Sequence, residues 1–320
     1  MKASMQYAPE YHRPPVIVVY SPIIDVLRQI SNGNYREYLF REQPSNLSAF
    51  AAQHTRMCQV LRQQGVQILD VASLTLPEPV VACIRQSPNI FFTRDSAICL
   101  PHGGIILRMA TAERSREPTV MEAVYKILGV PILARVPEGI TLEGGDIIFA
   151  RENCVFAGYG PRTSLTGVEY FRNILSQTGG PVEEVLALNV SPERINLDGV
   201  LMPLSPSLLL ADMSALDRHA ILFRGSERRT VDLRAYLHAR GYEVLEIPRS
   251  EGYMLATNLV HLGGRQIMAY EHNERVNAQL ESVGYSVLSI CGDELIKGSG
   301  GPRCMTNVIR YPISIKRNWS

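Results

Sequence analysis

One cysteine, Cys304, stands on a glycine-bearing turn, Gly300-Gly301-Pro302-Arg303-Cys304-Met305-Thr306, just ahead of an apolar tail, Val308-Ile309-Arg310-Tyr311. Glycine lets the backbone take positive φ and approach other groups closely. A turn of this kind presents a thiolate as a nucleophile. Upstream lie three acidic motifs: Phe91-Phe92-Thr93-Arg94-Asp95, Leu142-Glu143-Gly144-Gly145-Asp146 and Ile195-Asn196-Leu197-Asp198-Gly199. Carboxylates clustered without a metal-type set of His or Cys suit a cationic substrate. Guanidinium is the obvious one, being planar, permanently charged and matched by carboxylates in bidentate geometry. Its central carbon is a poor electrophile. Holding it between two carboxylates and against a thiolate lowers the barrier mainly by orientation, after which the thiolate attacks and expels an amine.

The elements that must bring these residues together follow a rhythm. Five helix-then-strand phrases recur: 55–61 leading to 65–69, 120–128 to 129–133, 167–176 to 180–186, 231–240 to 241–245, and 275–283 to 284–288. Each helical part carries apolar residues at i, i+3 and i+4, ends at a glycine and runs into a short strand. Between the phrases lie four hairpin patterns, at 97–107, 147–156, 200–210 and 259–270, each an apolar pair around Gly, Pro, Ser or another turn residue. Each acidic motif immediately precedes a hairpin. A unit of about fifty residues that cannot bury its own faces implies an array. Five units closing into a ring would bring equivalent positions to the axis, with the strand after Cys304 completing the first unit beside Pro14-Pro15-Val16-Ile17-Val18-Val19-Tyr20. An open doubly wound α/β sheet also alternates strands and helices, but an all-parallel sheet needs no hairpins.

Composition sets the remaining bounds. The chain has 320 residues, 46% hydrophobic and 20% charged, with a formal net charge of +1. That is ordinary for a globular protein and does not favour nucleic acid or an anionic membrane as partner. No apolar run reaches membrane-span length, and the segment Met1–Pro15 has no signal-peptide core. The six cysteines form no CxxC pair, so a structural zinc is not expected, and the thiolate chemistry set out above calls for no metal or cofactor. A reduced, cytoplasmic setting fits, as does a single domain spanning 1–320, with assembly into a homo-oligomer left open.

Taken together and in order, Phe92-Thr93-Arg94-Asp95, Glu143-Gly144-Gly145-Asp146, Asn196-Leu197-Asp198 and Gly300-Gly301-Pro302-Arg303-Cys304-Met305-Thr306 resemble the arginine deiminase branch of the guanidino-group-modifying, or pentein, superfamily. The resemblance covers nearly the whole chain. It implies an α/β fold of the five-bladed αβ-propeller type with a central active site. It implies Cys304 as the nucleophile, Asp95 and Asp198 clasping the guanidinium nitrogens, Glu143 orienting a catalytic histidine and Asp146 supporting the site. Arg114, in Met109-Ala110-Thr111-Ala112-Glu113-Arg114, and Arg162, in Gly160-Pro161-Arg162-Thr163, resemble arginines that hold the substrate α-carboxylate, and Arg303 is a further substrate or thiolate contact. The expected partner is a small guanidino compound, arginine or a close relative, turned into ammonia and a ureido product such as citrulline.

Two positions depart from that pattern. The third motif reads Asn196-Leu197-Asp198 where the resemblance implies His-x-Asp. Residues two apart on a strand face the same way, so Asn196 should share the pocket with Asp198, yet an amide does not titrate. Another group, Glu143 or His261, would have to move the proton. Alternatively, slow hydrolysis would let an amine intercept the adduct, making an amidinotransferase, or the chain would bind a guanidine without turning it over. The second departure is Ser299, with Lys297 nearby, where the pattern often has an arginine. Plainer roles compete at several positions: a loop-capping Asp95, a turn residue at Asp146, surface charge at Arg114 and a structural histidine at 261.

Overall fold

The computed structural model describes residues 7–29, 36 and 40–313; residues 1–6 of the Met1–Pro15 segment lie outside these. In chain order the strands are β1 Val16–Val19, β2 Gln67–Asp70, β3 Ala97–Leu100, β4 Gly103–Ile106, β5 Ile132–Arg135, β6 Ile147–Arg151, β7 Cys154–Tyr159, β8 Glu184–Val190, β9 Leu201–Pro203, β10 Leu208–Ala211, β11 Leu216–Arg224, β12 Glu227–Asp232, β13 Glu243–Glu246, β14 Val260–Gly263, β15 Gln266–Tyr270, β16 Ser286–Ile290 and β17 Asn307–Val308. The helices are α1 Ile24–Gln29, α2 Leu47–Gln63, α3 Glu78–Arg85, α4 Glu117–Ile127, α5 Leu165–Gln177, α6 Leu233–Ala239, α7 Arg249–Tyr253 and α8 Glu274–Ser282.

The strands form five small sheets, ordered β17-β1-β2, β3-β4-β5, β6-β7-β8 (extended by β11 and β12), β9-β10-β13 and β14-β15-β16. Each pairs two strands antiparallel and adds a third in parallel. The parallel strand follows α2, α4, α5, α6 or α8, as the helix-then-strand phrases predict. The antiparallel partner of β1 is β17, with Ile17 opposite Val308, so chain start and chain end share one sheet. The first and last units are therefore halves of a single unit.

Local sequence explains the helix limits. Asn46 and Ser164 accept hydrogen bonds from the backbone N–H of Ala49 and Gly167 and so cap α2 and α5. On α5 the residues Val168, Phe171, Ile174 and Leu175 are buried, an i, i+3, i+4 face laid on the sheet behind it; each such side chain contributes about 1.5–3 kcal/mol of burial. Asp232 caps α6 through the N–H of Ala235. Residues 231 and 232 therefore finish β12 rather than opening a helix at 231, because a capping aspartate takes extended backbone. The β11–β12 hairpin was not predicted: its Arg- and Thr-bearing outer strand is largely exposed and lacks the alternation that marks a strand. Among the described residues no helix is long and apolar enough to cross a membrane.

Candidate active site

The residues just before the inner strand of each sheet meet at one place. Backbone and side-chain hydrogen bonds link them in a closed cycle. The N–H of Arg94 donates to the carbonyl of Cys304 at 3.1 Å, and the N–H of Gly144 to the carbonyl of Asp95 at 3.1 Å. The N–H of Leu197 donates to Asp146 Oδ1 at 2.8 Å, and Thr257 Oγ1 to the carbonyl of Asp198 at 3.0 Å. Asn258 returns to the start: its Oδ1 accepts from the N–H of Cys304 at 3.1 Å and its Nδ2 donates to Cys304 Sγ at 3.0 Å. Two glycines make the approach possible. A Cβ on Gly145 would stand 2.8 Å from Asp95 Oδ1 and 2.9 Å from Asn196 Cβ, and one on Gly301 would stand 2.6 Å from Asn258 Oδ1. Any side chain there would push two motifs apart.

This junction floors a cavity of about 330 Å³ lined by Asp95, Asn196, Asp198 and Cys304, with Arg41, Arg114, Arg162, Glu193, Arg194, Tyr253 and Ser299 among its walls. Cys304 is buried, and its Sγ donates to Asp198 Oδ2 at 3.5 Å. Burial, followed by the charges of Asp198 and Asp95, pushes its thiol well above the usual range. Burial also raises the Asp198 carboxyl, against the pull of Arg303, whose Nη1 lies 2.8 Å from Asp198 Oδ2. On the opposite wall Asn196 Nδ2 donates to Asp146 Oδ2 at 2.9 Å and to Glu143 Oε2 at 3.3 Å. The cavity therefore holds a protonated thiol beside two carboxylates, ready for a cation that would favour the thiolate.

A family model described as arginine deiminase matches residues 78–310. The chain belongs to the arginine deiminase family. It is 23% identical over 298 residues to the uncharacterized protein YkgA of Bacillus subtilis, which covers 93% of this chain and 92% of that protein. It is 30% identical over 249 residues to an arginine deiminase of Rhodococcus erythropolis, covering 70% of this chain and 60% of that enzyme. The chain thus spans about three fifths of the length of the curated arginine deiminases it matches. Among solved structures, a variant of the N-terminal domain of ArgZ covalently bound to a reaction intermediate superposes with a TM-score of 0.72 at 20% identity, covering 94% of this chain and 99% of that one. A dimethylarginine dimethylaminohydrolase variant from Pseudomonas aeruginosa in complex with citrulline gives 0.69 at 18% identity, covering 92% and 99%. These likenesses establish a mixed α/β fold shared with those structures.

Against the roles that the arginine deiminase resemblance implies, the residues divide. Cys304, Asp95, Asp198, Asn196, Arg114 and Arg162 all line the cavity. Arg114, however, is already engaged: Nε donates to both oxygens of Glu117, Nη1 to Asp95 Oδ2 at 2.8 Å and Nη2 to the carbonyl of Phe92. It fixes Asp95, and little of its fork is left for a substrate carboxylate. Arg162 is freer, meeting Glu143 only at 3.4 Å. Glu143, Asp146 and Arg303 are absent from the cavity wall. Glu143 is fully buried behind Asn196 and accepts from the N–H of Ala110 at 3.1 Å. Asp146 accepts from Thr163 Oγ1 at 2.6 Å, Asn196 and the N–H of Leu197; it ties the second motif to the third and has no surface turned to a ligand. Burial pushes its carboxyl up to about 8 against those hydrogen bonds. The side chain of Arg303 points away from the cavity, donating to Glu10 Oε2, Asp198 Oδ2 and the carbonyl of Ile147. His261 is held by the carbonyl of Pro203 at 2.9 Å on the far side of the junction, where burial lowers its imidazole to about 4. It does not reach the cavity wall and does not stand in for a histidine at 196.

Asn258 escaped the sequence reading. It occupies, ahead of β14, the place that Asp95 occupies ahead of β3 and Asp198 ahead of β9. An amide carries no charge to flag it, and only the register of the repeat points to it.

Proposed function

We propose that this chain is a cofactor-free cysteine hydrolase of a guanidino compound, arginine or a close relative bearing a carboxylate. The observation that carries this reading is the convergence of Cys304 Sγ with Asp95 and Asp198 on one cavity. The guanidinium lies against the two aspartates with its carbon facing the sulfur. Its charge offsets the carboxylates that hold the thiol protonated, and the thiol proton passes to Asp198, the acceptor 3.5 Å away. The thiolate forms a C–S bond to the guanidinium carbon. A C–N bond breaks, and ammonia leaves with the proton returned from Asp198. Water then adds to the amidino-thioether carbon, the C–S bond breaks, and the ureido product departs with the thiol restored, the one remaining proton being taken up by the released ammonia as ammonium. Arg162, with Arg41 and Arg194 also on the wall, supplies cations for the carboxylate end. In this reading the five sheets are the blades of an αβ-propeller forming one domain, supported by the closed hydrogen-bond cycle at their inner ends and by the shared β1–β17 sheet. A reduced, cytoplasmic setting suits the unpaired Cys304.

A second reading has its own support. Among the described residues that line the cavity there is no histidine, and Asn196 fills the place between Glu143 and Asp146. Positioned acid–base help is typically worth roughly 10²–10⁴-fold, so the adduct would be formed and then linger, open to an added amine. Intact-mass analysis after mixing with arginine, with ammonia and citrulline assayed in parallel, tests both. Rapid ammonia and citrulline support hydrolysis, while an adduct consumed only when an amine is added supports transfer. No adduct and no product with any guanidine overturns both, leaving binding alone.

A further inference from the structure

Behind Cys304, on the side away from the front cavity, lies a second cavity of about 120 Å³ whose charged lining is mostly arginine. Arg94, Arg303 and Arg310 face it from the core, and Arg13 from the rim. Among the described residues that line it the one acid is Glu10, on the N-terminal segment 8–15 that forms part of its wall. Glu10 meets Arg303 Nε at 3.2 Å through Oε2 and Arg310 Nη2 at 3.2 Å through Oε1. Burial alone would raise its carboxyl; Arg303, Arg94 and Arg310 overcome that and hold it far below the usual range. Asp198 neutralises Arg303 from the other side.

That leaves cationic charge unmet. Arg94 is 6% exposed, yet its guanidinium makes hydrogen bonds only to the carbonyl of Arg303 at 3.4 Å and to Thr306 Oγ1 at 3.2 Å. Both are neutral acceptors. Burial and the neighbouring Arg303 charge depress it to about 10. Arg310 Nε is buried without a hydrogen-bond partner. Arg13 donates to the carbonyl of Gln64 and to no carboxylate. Glu10 and Asp198 favour the Arg94 charge only through space; a buried guanidinium with no carboxylate in its fork is costly, and such a fork is best satisfied by the planar or tetrahedral oxygens of an oxyanion.

We propose that this rear cavity is a binding site for a small oxyanion, a carboxylate or phosphate group, held by Arg94 and Arg310 with Arg13 at the entrance and Glu10 as an internal competitor. The inference is independent of what the front cavity does. The space admits a group of a few heavy atoms and not a nucleotide. Because Arg303 touches Glu10 on one side and Asp198 on the other, an anion bound here shares the cation that also serves Asp198.

Inorganic phosphate, titrated into the full chain in a chloride buffer and followed by calorimetry and by the shift in melting temperature, provides the test. The expected result is saturable one-site binding. Arg94→Gln should weaken it tenfold or more, and Arg13→Gln, at an exposed position, should weaken it severalfold. Glu10→Gln should tighten it, because a competing charge is removed; general salt stabilisation has no such sign. Acetate competing at lower concentration than phosphate assigns the carboxylate class, and the reverse assigns the phosphate class. The proposal is overturned if neither anion saturates, if Arg94→Gln and Arg13→Gln both bind as the parent does, or if binding is lost in Arg162→Gln and kept in Arg13→Gln, which would place the anion in the front cavity.

Discussion

The two walls of the front cavity are built alike and equipped differently. On one, Cys304, Asn258 and Asp198 place the proposed nucleophile, a hydrogen bond to its sulfur and an acid within contact of one another. On the other, Glu143, Asp146 and Arg162 surround Asn196 with two carboxyl groups and a cation, as though to orient a titrating group, but the group they orient is an amide. A network that positions a side chain is thus separable from the proton chemistry of that side chain. In the proposed reading the amide of Asn196 gives both acids a donor, so the network holds its geometry without a titrating group at its centre.

The comparison fails outright if the first wall is not where the chemistry occurs. Cys304→Ala should abolish both the adduct and turnover, a fall of roughly 10⁶-fold where a covalent nucleophile is removed, measured by intact mass and product assay. Persistent turnover would mean the sulfur is incidental. Asn196→His tests the second wall. With Glu143 and Asp146 already in place, hydrolysis should rise roughly 10²–10⁴-fold. The pH profile should gain a limb above the ordinary imidazole range, since neighbouring carboxylates favour the protonated ring. An unchanged rate would show that proton transfer is not what this wall lacks.

Two smaller effects on the first wall should have opposite signs. In the free protein the Cys304 thiol is raised by burial, Asp198 and Asp95, so alkylation by iodoacetamide should accelerate only above the usual thiol range. Asp198→Asn removes a negative neighbour, lowers that pKa and should speed alkylation at neutral pH, about tenfold for each unit of pKa, even as guanidine turnover falls. Asn258→Ala removes the Nδ2 donor that favours the thiolate. A hydrogen bond to a charged group is worth about 1.5–3 kcal/mol, so alkylation and turnover should both slow. If both variants moved alkylation the same way, access rather than charge would be controlling the sulfur.

How much of this was legible beforehand depended on the kind of signal. The five helix-strand phrases, the four hairpins and the meeting of β1 with β17 follow from apolar periodicity and glycine placement, which report local structure and burial directly. Cys304, Asp95, Asp198 and Asn196 were legible because they recur at one place in the repeat. Side-chain direction was not. Arg303 precedes Cys304 in sequence, yet the turn sends its guanidinium to Glu10, about 290 residues away in the chain, and neither residue announces the other. Arg114 lies in the expected segment, but Glu117, one helical turn on, claims it. Such choices are settled by long-range charge pairing, which a linear pattern does not encode.

Asp146 sharpens the comparison from the second wall at the smallest scale. Its folded-state carboxyl is raised from the usual range to about 8. An acid raised on folding contributes its stability fully below the unfolded pKa and loses it as pH climbs through the folded one. The parent protein should therefore lose stability from this group between about pH 4 and pH 8. Asp146→Asn removes that pH dependence. It also turns an amide N–H₂ toward Thr163 or Asn196 and forfeits one of the present hydrogen bonds, at a cost of about 1–3 kcal/mol. Urea unfolding should find the variant less stable at pH 5 and the gap narrowed at pH 9. A gap that widened with pH would show that Asp146 is held as a carboxylate by its three donors, and that the second wall keeps a full negative charge beside Asn196 for its own sake.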